Sequence, residues 1–581
     1  MHTTGGKPEL AKASENPRKS RSQANPPLHK GLSLQAGLNG ACDTQEMELL
    51  DTEFLDDVLG NDPRAKTKLT KPEQPISTMR HSLLAVLFWV KAWSVPGMGM
   101  FCQGYFVFSI SNLSAVFKED RPACFKTFQE CTAGLVQSQT YAQFGTIILG
   151  MLLLGYVVDQ AGRRRAAIVT ASIMFVGGLL LAASSGPTAI GFVVMFIISQ
   201  IVFGFGVGGE YEVAASIACE RAEANRVLRH RRGEMVIATF TMQGWGAVVS
   251  TLVLILFLLA VDSSANPNYD VAWRLTYVVG LLPLAYLIYF RLRHLTESKM
   301  WKKSHGKNFD AREVQLLWAH YWPRLTGAAL AWFFWDVSFY GTRLFQSNFI
   351  WVMHPQAGLI EVLLWTLLSA VVPIFGYYAA AFVVDRQWMG RVRLQIVGFA
   401  MCFILYLMCS WGYEQLIQPE NIKSFMFLFY FAAFWGQFGP NTTTFLLAAE
   451  TVPTPVRGLA IGIAAATGKL GALLAAVLYH HITIKNAYFV SAFANLAGLL
   501  ITLVFMPNLV GLSLREMDRR WKYLMQGKGS EYCGEALNPR CLSNWENLRG
   551  LGTGYSADRD ARMKMNERKE AVIARVNHNI A

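Results

Sequence analysis

The sequence predicts an all-α integral membrane protein: twelve spanning helices arranged as a bundle of two six-helix halves. Three observations carry this. The composition is that of a chain living in lipid, apolar runs of about 20 residues recur along most of its length, and one charged loop pattern appears twice at equivalent places.

Of 581 residues, 52% are hydrophobic and 16% charged, the latter well below the ~25% of soluble domains. No polar linker interrupts the stretch from about 82 to about 508. The net charge is +13, and much of it falls in short loops between apolar segments. That distribution fits the positive-inside rule. It makes the lipid bilayer the partner and argues against nucleic acid.

Apolar runs long enough to cross a ~30 Å hydrocarbon core begin near 88, 136, 166, 191, 235 and 272, then near 324, 357, 394, 424, 458 and 486. The chain therefore divides into a disordered N-terminal tail (1–81), a first six-helix half (82–293), a central loop (294–322), a second half (323–508) and a C-terminal tail (509–581). The N-terminus has no apolar core and is not a signal peptide. Its polar composition predicts disorder, with one acidic-hydrophobic patch, "MELLDTEFLDDVL", read as a sorting motif or an idle amphipathic turn. Arg221, Arg226, Arg229, Arg231 and Arg232 follow the fourth span, Arg163, Arg164 and Arg165 follow the second, and the loop after the fifth has no arginine. Both termini and both tails are therefore expected in the cytosol, with the plasma membrane as the default location.

The repeated loop is "GYVVDQAGRRR" after the second span and "AFVVDRQWMGRVR" after the eighth. Each sets an acid at a helix end (Asp159, Asp385) beside a basic turn (Arg163, Arg386). The pattern resembles the signature loop of the major facilitator superfamily, departing from it at Gln160, where a basic residue is usual. The resemblance implies conformational latches, each acid lying near helix ends of the other half, rather than substrate sites.

A charge at mid-bilayer costs roughly 2.5–3.5 kcal/mol on insertion scales, so Glu210, Asp336, Arg343, Lys469 and, nearer a helix end, Lys91 are functional candidates. Trp332, Asp336 and Tyr340 recur at i, i+4 and i+8 and share one helix face, a stripe of hydrogen-bonding groups suited to an oxyanion. A polar pairing with a neighbouring helix is the plainer alternative. Tyr211 follows Glu210 in "GFGVGGEYE", Gln243 lies in "TMQGWG", Asn441 follows the helix-kinking Pro440, and Lys469 sits between glycines in "ATGKLGA".

The nine cysteines form no metal-binding pattern. Cys124 and Cys131 share one hydrophilic loop and are either a disulfide or two free thiols. "NLS" at Asn112 is a glycosylation sequon near the outer end of the first span, whereas "NTT" at Asn441 lies within a span and is rejected. No nucleophile–base set or nucleotide loop appears, so neither an enzyme nor a bound cofactor is expected.

"GFGVGGEY", "TMQGWG", "WFFWDVSFY", "GPNTTTF", "AAETVPTPVRG" and "ATGKLGA" resemble, in order, motifs of the plant and fungal phosphate:proton symporters over roughly residues 88–508. That resemblance implies proton-coupled uptake of inorganic phosphate by alternating access. Its substrate residues would be Tyr211, Gln243, Trp332, Asp336, Tyr340, Asn441 and Lys469, with Asp336 and Glu210 carrying protons. Three departures matter. Glu210 stands for the usual aspartate, Glu212 for the usual proline, and Gln103 and Phe106 occupy two acidic positions of the first helix. With Arg343 as an added cation, they keep open another anion, such as a glycerophosphodiester or an organic acid. A phosphate-sensing receptor of the same fold is the remaining alternative.

Overall fold

The computed structural model describes residues 78–580 apart from 263–267, 305–310, 345, 347–348, 351–353 and 355. The tail up to residue 77, with its acidic-hydrophobic patch, lies outside the described residues.

Among the described residues there is no strand. The first half is α1 (Thr78–Asp120), α2 (Ala133–Ala161), α3 (Arg163–Ala182), α4 (Ala189–Ala224), α5 (Arg232–Asp262) and α6 (Tyr269–His294). The second is α7 (Ala311–Leu344), α8 (Leu359–Val383), α9 (Gly390–Trp411), α10 (Ile422–Gly436), α11 (Arg457–Leu478) and α12 (Ile484–Phe505). Polar side chains start several of them. Thr132, Thr188 and Thr483 accept from free N–H groups of the first turns of α2, α4 and α12.

Ten of the twelve are long and apolar enough to span a membrane by composition alone. The exceptions are α7 and α10, and each has a physical reason. Asp336 and a high content of tryptophan, tyrosine and glycine depress the hydropathy of α7. The tenth span is broken: α10 passes through a π-helical turn, Gln437–Asn441, before resuming as Thr442–Glu450. Pro440 inside that turn removes a backbone donor and forces the widening.

The halves repeat their packing. α1 lies on α5 as α7 lies on α11, and across the interface α2 meets α11 as α8 meets α5. Glycines permit the closest of these approaches: a Cβ on Gly155 of α2 would lie 2.9 Å from the Gly458 carbonyl of α11.

One expected boundary shifts, and one segment left unassigned by the sequence is structured. α7 begins at Ala311, inside the stretch read as central loop. The C-terminal tail is folded, with α13 (Leu514–Met525) and α14 (Ala557–Ile580) joined by short helical turns. It shares a core of Leu317, Tyr321, Trp521, Leu524 and Tyr532 with α7. Arg324 of α7 donates to Glu546 at 2.7 Å with both side chains buried.

Cys124 and Cys131 form a disulfide between α1 and α2. The bundle thus has a disulfide end and, opposite it, an arginine-rich end. Asn112 is buried and donates to Thr251 at 2.7 Å. The sequon reading is therefore overturned, because the amide that would carry the glycan is inside the bundle.

Candidate functional site

At the centre of the interface between the halves, sequence-selected residues of four helices meet. Lys469 of α11 donates to Asp336 of α7 at 2.7 Å, with both side chains almost fully buried. Trp332 lies one helical turn before Asp336 on the same face and is likewise buried. The ammonium also lies 4.6 Å from the Tyr340 ring centre and 5.3 Å from that of Tyr211. Cations favour such aromatic faces.

From the first half, Gln243 of α5 donates to the Tyr211 hydroxyl at 2.7 Å and to Gln103 Oε1 at 2.9 Å. Gln103 of α1 therefore joins the group. The sequence marked it only as a missing acid. Tyr211, Trp332 and Phe445 stand edge-on to one another around the pair. The sum is one buried cation, one carboxylate able to neutralise it, and phenol, amide and indole donors around both.

Asn441 belongs to an adjoining group. It donates to the Tyr377 hydroxyl at 2.9 Å and to Gln437, and accepts from the Trp335 indole at 2.8 Å. The π turn aims it there. Tyr377, Gln437 and Trp335 went unremarked in the sequence, although Gln437 lies four residues before Asn441 on the same helical face. A small cavity of about 50 Å³, lined among others by Tyr377, Gln437 and Arg343, reaches this group.

The structure does not bring Glu210 to Asp336. Arg291 of α6 bonds both its oxygens, one at 2.8 Å, and Thr170 adds a bond at 3.1 Å. Adjacent helix residues point ~100° apart, so Tyr211 faces the other half while Glu210 faces α3 and α6. Glu212, one position further on, is fully buried with neither carboxylate oxygen bonded. Arg343 has no carboxylate partner among the described residues; it donates to Gln346 and Ser369, each at 2.9 Å. Lys91 is exposed near the start of α1.

At the arginine-rich end the repeated loops form two matching charge clusters. Asp159 accepts from Arg163 at 3.0 Å and from the Gly458 and Leu459 N–H groups, at 3.0 and 2.8 Å, which open α11 of the other half. Helix N-termini attract anions. Glu220 then joins Arg163 at 2.8 Å to Arg457 at 3.1 Å. In the second copy Asp385 accepts from Gly233 and Glu234, which open α5, at 3.2 and 2.8 Å. Arg391 pairs with Asp385 at 2.7 Å and with Glu450 at 2.9 Å, and Arg232 reaches Glu450 at 2.6 Å. The expectation for Arg386 is corrected. It is exposed, lying over the Phe382 ring, and its place is taken by Arg391. The reason is the turn: Gly162 and Gly390 both have positive φ, 90° and 68°, and Arg163 and Arg391 each follow that glycine.

Residues 98–476 match the family model described as Major Facilitator Superfamily. A Candida albicans relative, "Glycerophosphoinositol permease 1", is 30% identical over 442 residues, covering 74% of this chain and 81% of its own. "Probable inorganic phosphate transporter 1-12" of Oryza sativa subsp. japonica is 28% identical over 508 residues, covering 73% and 90%. Among solved structures, the proton:xylose symporter XylE bound to 6-bromo-6-deoxy-D-glucose superposes with a TM-score of 0.60. It is 20% identical and covers 74% of this chain and 99% of its own.

Proposed function

The chain belongs to the major facilitator superfamily, and from that premise we propose that it imports a phosphate-group anion together with protons, inorganic phosphate being the simplest such substrate. It is a multi-pass membrane transporter rather than an enzyme. The observation that carries the reading is the buried Lys469–Asp336 pair, ringed by Tyr211, Gln243, Tyr340 and Trp332.

The pair supplies a coupling logic. While Asp336 is ionised it satisfies Lys469 and repels an anion. Once protonated, it releases the ammonium to a phosphate oxygen and becomes a donor itself. Loss of the proton on the other side returns Lys469 to Asp336 and expels the anion. Glu210, held by Arg291, is a poor second carrier, and Glu212, buried without a bond, is the better one.

Asp159 with Arg163, and Asp385 with Arg391, act as latches that close one end of the bundle while the other stands open. A disulfide belongs to an oxidising compartment and arginine-rich loops to the cytosol. The open end therefore faces outward across the plasma membrane, with both termini cytosolic.

A second reading, transport of a phosphodiester, is favoured by Arg343, which has no carboxylate partner among the described residues, and by the permease relative. Uptake of labelled phosphate into cells lacking their own carriers tests the first, at several pH values and with Asp336→Asn alongside. The reading expects uptake that rises on acidification and collapses in the variant. Wild-type uptake insensitive to both phosphate supply and pH overturns it.

A further inference from the structure

We propose that the cavity at the disulfide end is a binding subsite for the alcohol arm of a phosphate ester, selecting a neutral polyhydroxylated arm over a cationic one. This rests on the phosphate-group reading above and names the substrate class within it.

The cavity holds about 390 Å³ between α1, α2, α7 and α11. Small-molecule pockets run to ~300–1,000 Å³, which is more than a bare phosphate needs. Its lining includes Gln139 and Gln143, one helical turn apart on α2 and so on one face. They are only 7% and 4% exposed, and the amide nitrogen of each lacks a hydrogen-bond partner. Buried donors are normally paired, and leaving one unpaired costs about 1–3 kcal/mol. Both side chains line the cavity, and an amide turned toward it would pair its unbonded donors with a ligand rich in acceptor oxygens.

The wall's charge narrows the ligand further. Arg343, Lys118 and His480 contribute to the lining, and no aspartate or glutamate does among the described residues. Aromatic walls such as Phe144, 5.0 Å edge-on from Tyr340, would suit the C–H face of a sugar-like ring. They would equally suit a quaternary ammonium, but that group would have to sit beside the Arg343 guanidinium with no counter-anion on the wall. Hydroxyls incur no such repulsion.

The cavity also joins the transport centre. Tyr340 lines it and, at its inner side, packs against the Lys469 ammonium. A phosphodiester could thus place its phosphate at Lys469 while its polyol lies against Gln139 and Gln143. Arg343 stands between this cavity and the Asn441 group.

The test uses the full-length chain in proteoliposomes with three labelled probes: orthophosphate, glycerophosphoinositol and glycerophosphocholine. Wild type is expected to favour the inositol ester over the choline ester. The double variant Gln139→Leu/Gln143→Leu is expected to lower the preference for the inositol ester over orthophosphate about tenfold. Because uptake alone responds to misfolding, a second readout is alkylation of Gln143→Cys by a small thiol reagent. Glycerophosphoinositol should slow it more than orthophosphate does. Uptake of labelled phosphate compounds with an unchanged preference in the double variant, or a wild-type preference for the choline ester, overturns the subsite alone. Uptake of none of the three by wild type overturns the phosphate-group reading as well.

Discussion

The two ends of the bundle use polar residues in opposite ways. At the arginine-rich end the central charges are answered. Asp159, Arg163, Glu220 and Arg457 form one cluster, Asp385, Arg391, Glu450 and Arg232 its counterpart, and each aspartate also caps a helix of the other half. At the disulfide end, two buried amides lack partners and a guanidinium lacks a carboxylate among the described residues. Satisfied groups hold a conformation. Unsatisfied ones are carried at a cost that a ligand relieves. The Lys469–Asp336 pair stands between the two and, in the proposed mechanism, changes from one kind to the other.

The largest effect should come from that pair. Asp336→Asn leaves a buried ammonium without its counter-charge, which costs about 3–5 kcal/mol. Uptake measured at pH 5 to 7 should fall by about a hundredfold or more and lose its pH dependence. Normal transport by the variant would place the pair among the holding groups instead.

Next is the closed end. Glu220→Gln removes the carboxylate shared by Arg163 and Arg457 and should shift the halves toward opening there, by roughly 2–4 kcal/mol. Alkylation of a reporter, Leu459→Cys, should rise at least tenfold, and Glu450→Gln should act with the same sign. A response to only one of the two would break the equivalence of the clusters.

A smaller effect concerns the folded tail. Burial works to raise the Glu546 carboxyl, and Arg324 outweighs it, holding the group below the usual range. A depressed carboxylate contributes stability above its ordinary value of ~4.3 and loses it as pH falls through the lowered one. Hydrogen exchange across residues 535–556 should therefore be steady from pH 7 to about 4.5 and quicken on further acidification. In Glu546→Gln that acid-linked step should be absent.

The smallest sits where the tail meets the first half. Ser513 donates to Glu223 at 2.7 Å and caps α13. Ser513→Ala should destabilise the closed end by about 1 kcal/mol, read with the same cysteine reporter. An effect as large as that of Glu220→Gln would mean that the tail, not the charge clusters, closes the bundle.

Much of this architecture was legible from residue order. Ten spans announce themselves by composition, and the Trp332–Asp336–Tyr340 stripe follows from helical spacing. Where reading failed, the cause was three-dimensional. Arg386 looked like the basic partner because it adjoins Asp385, but the positive-φ glycine assigns that role to Arg391. Glu210 drew notice because charge inside a span is costly, but its partner was not legible. Its answer, Arg291, lies 81 residues away, a separation with no local periodicity to betray it. The tail looked polar because its apolar residues are few, and they are buried only by docking on α7.

What the sequence determined by itself was the membrane class, the two halves, their repeated loops and the chemistry of the central residues. All of these follow from composition and from periods of a few residues. Only the tertiary structure decided which charges are neutralised and which donors stay unpaired. Partnership across α1, α2, α4, α5, α7 and α11 depends on distances between atoms far apart in the chain. The difference between the charge clusters at one end and the unpaired donors at the other lies in that pairing, because side chains of the same kind are neutralised in one place and left bare in the other.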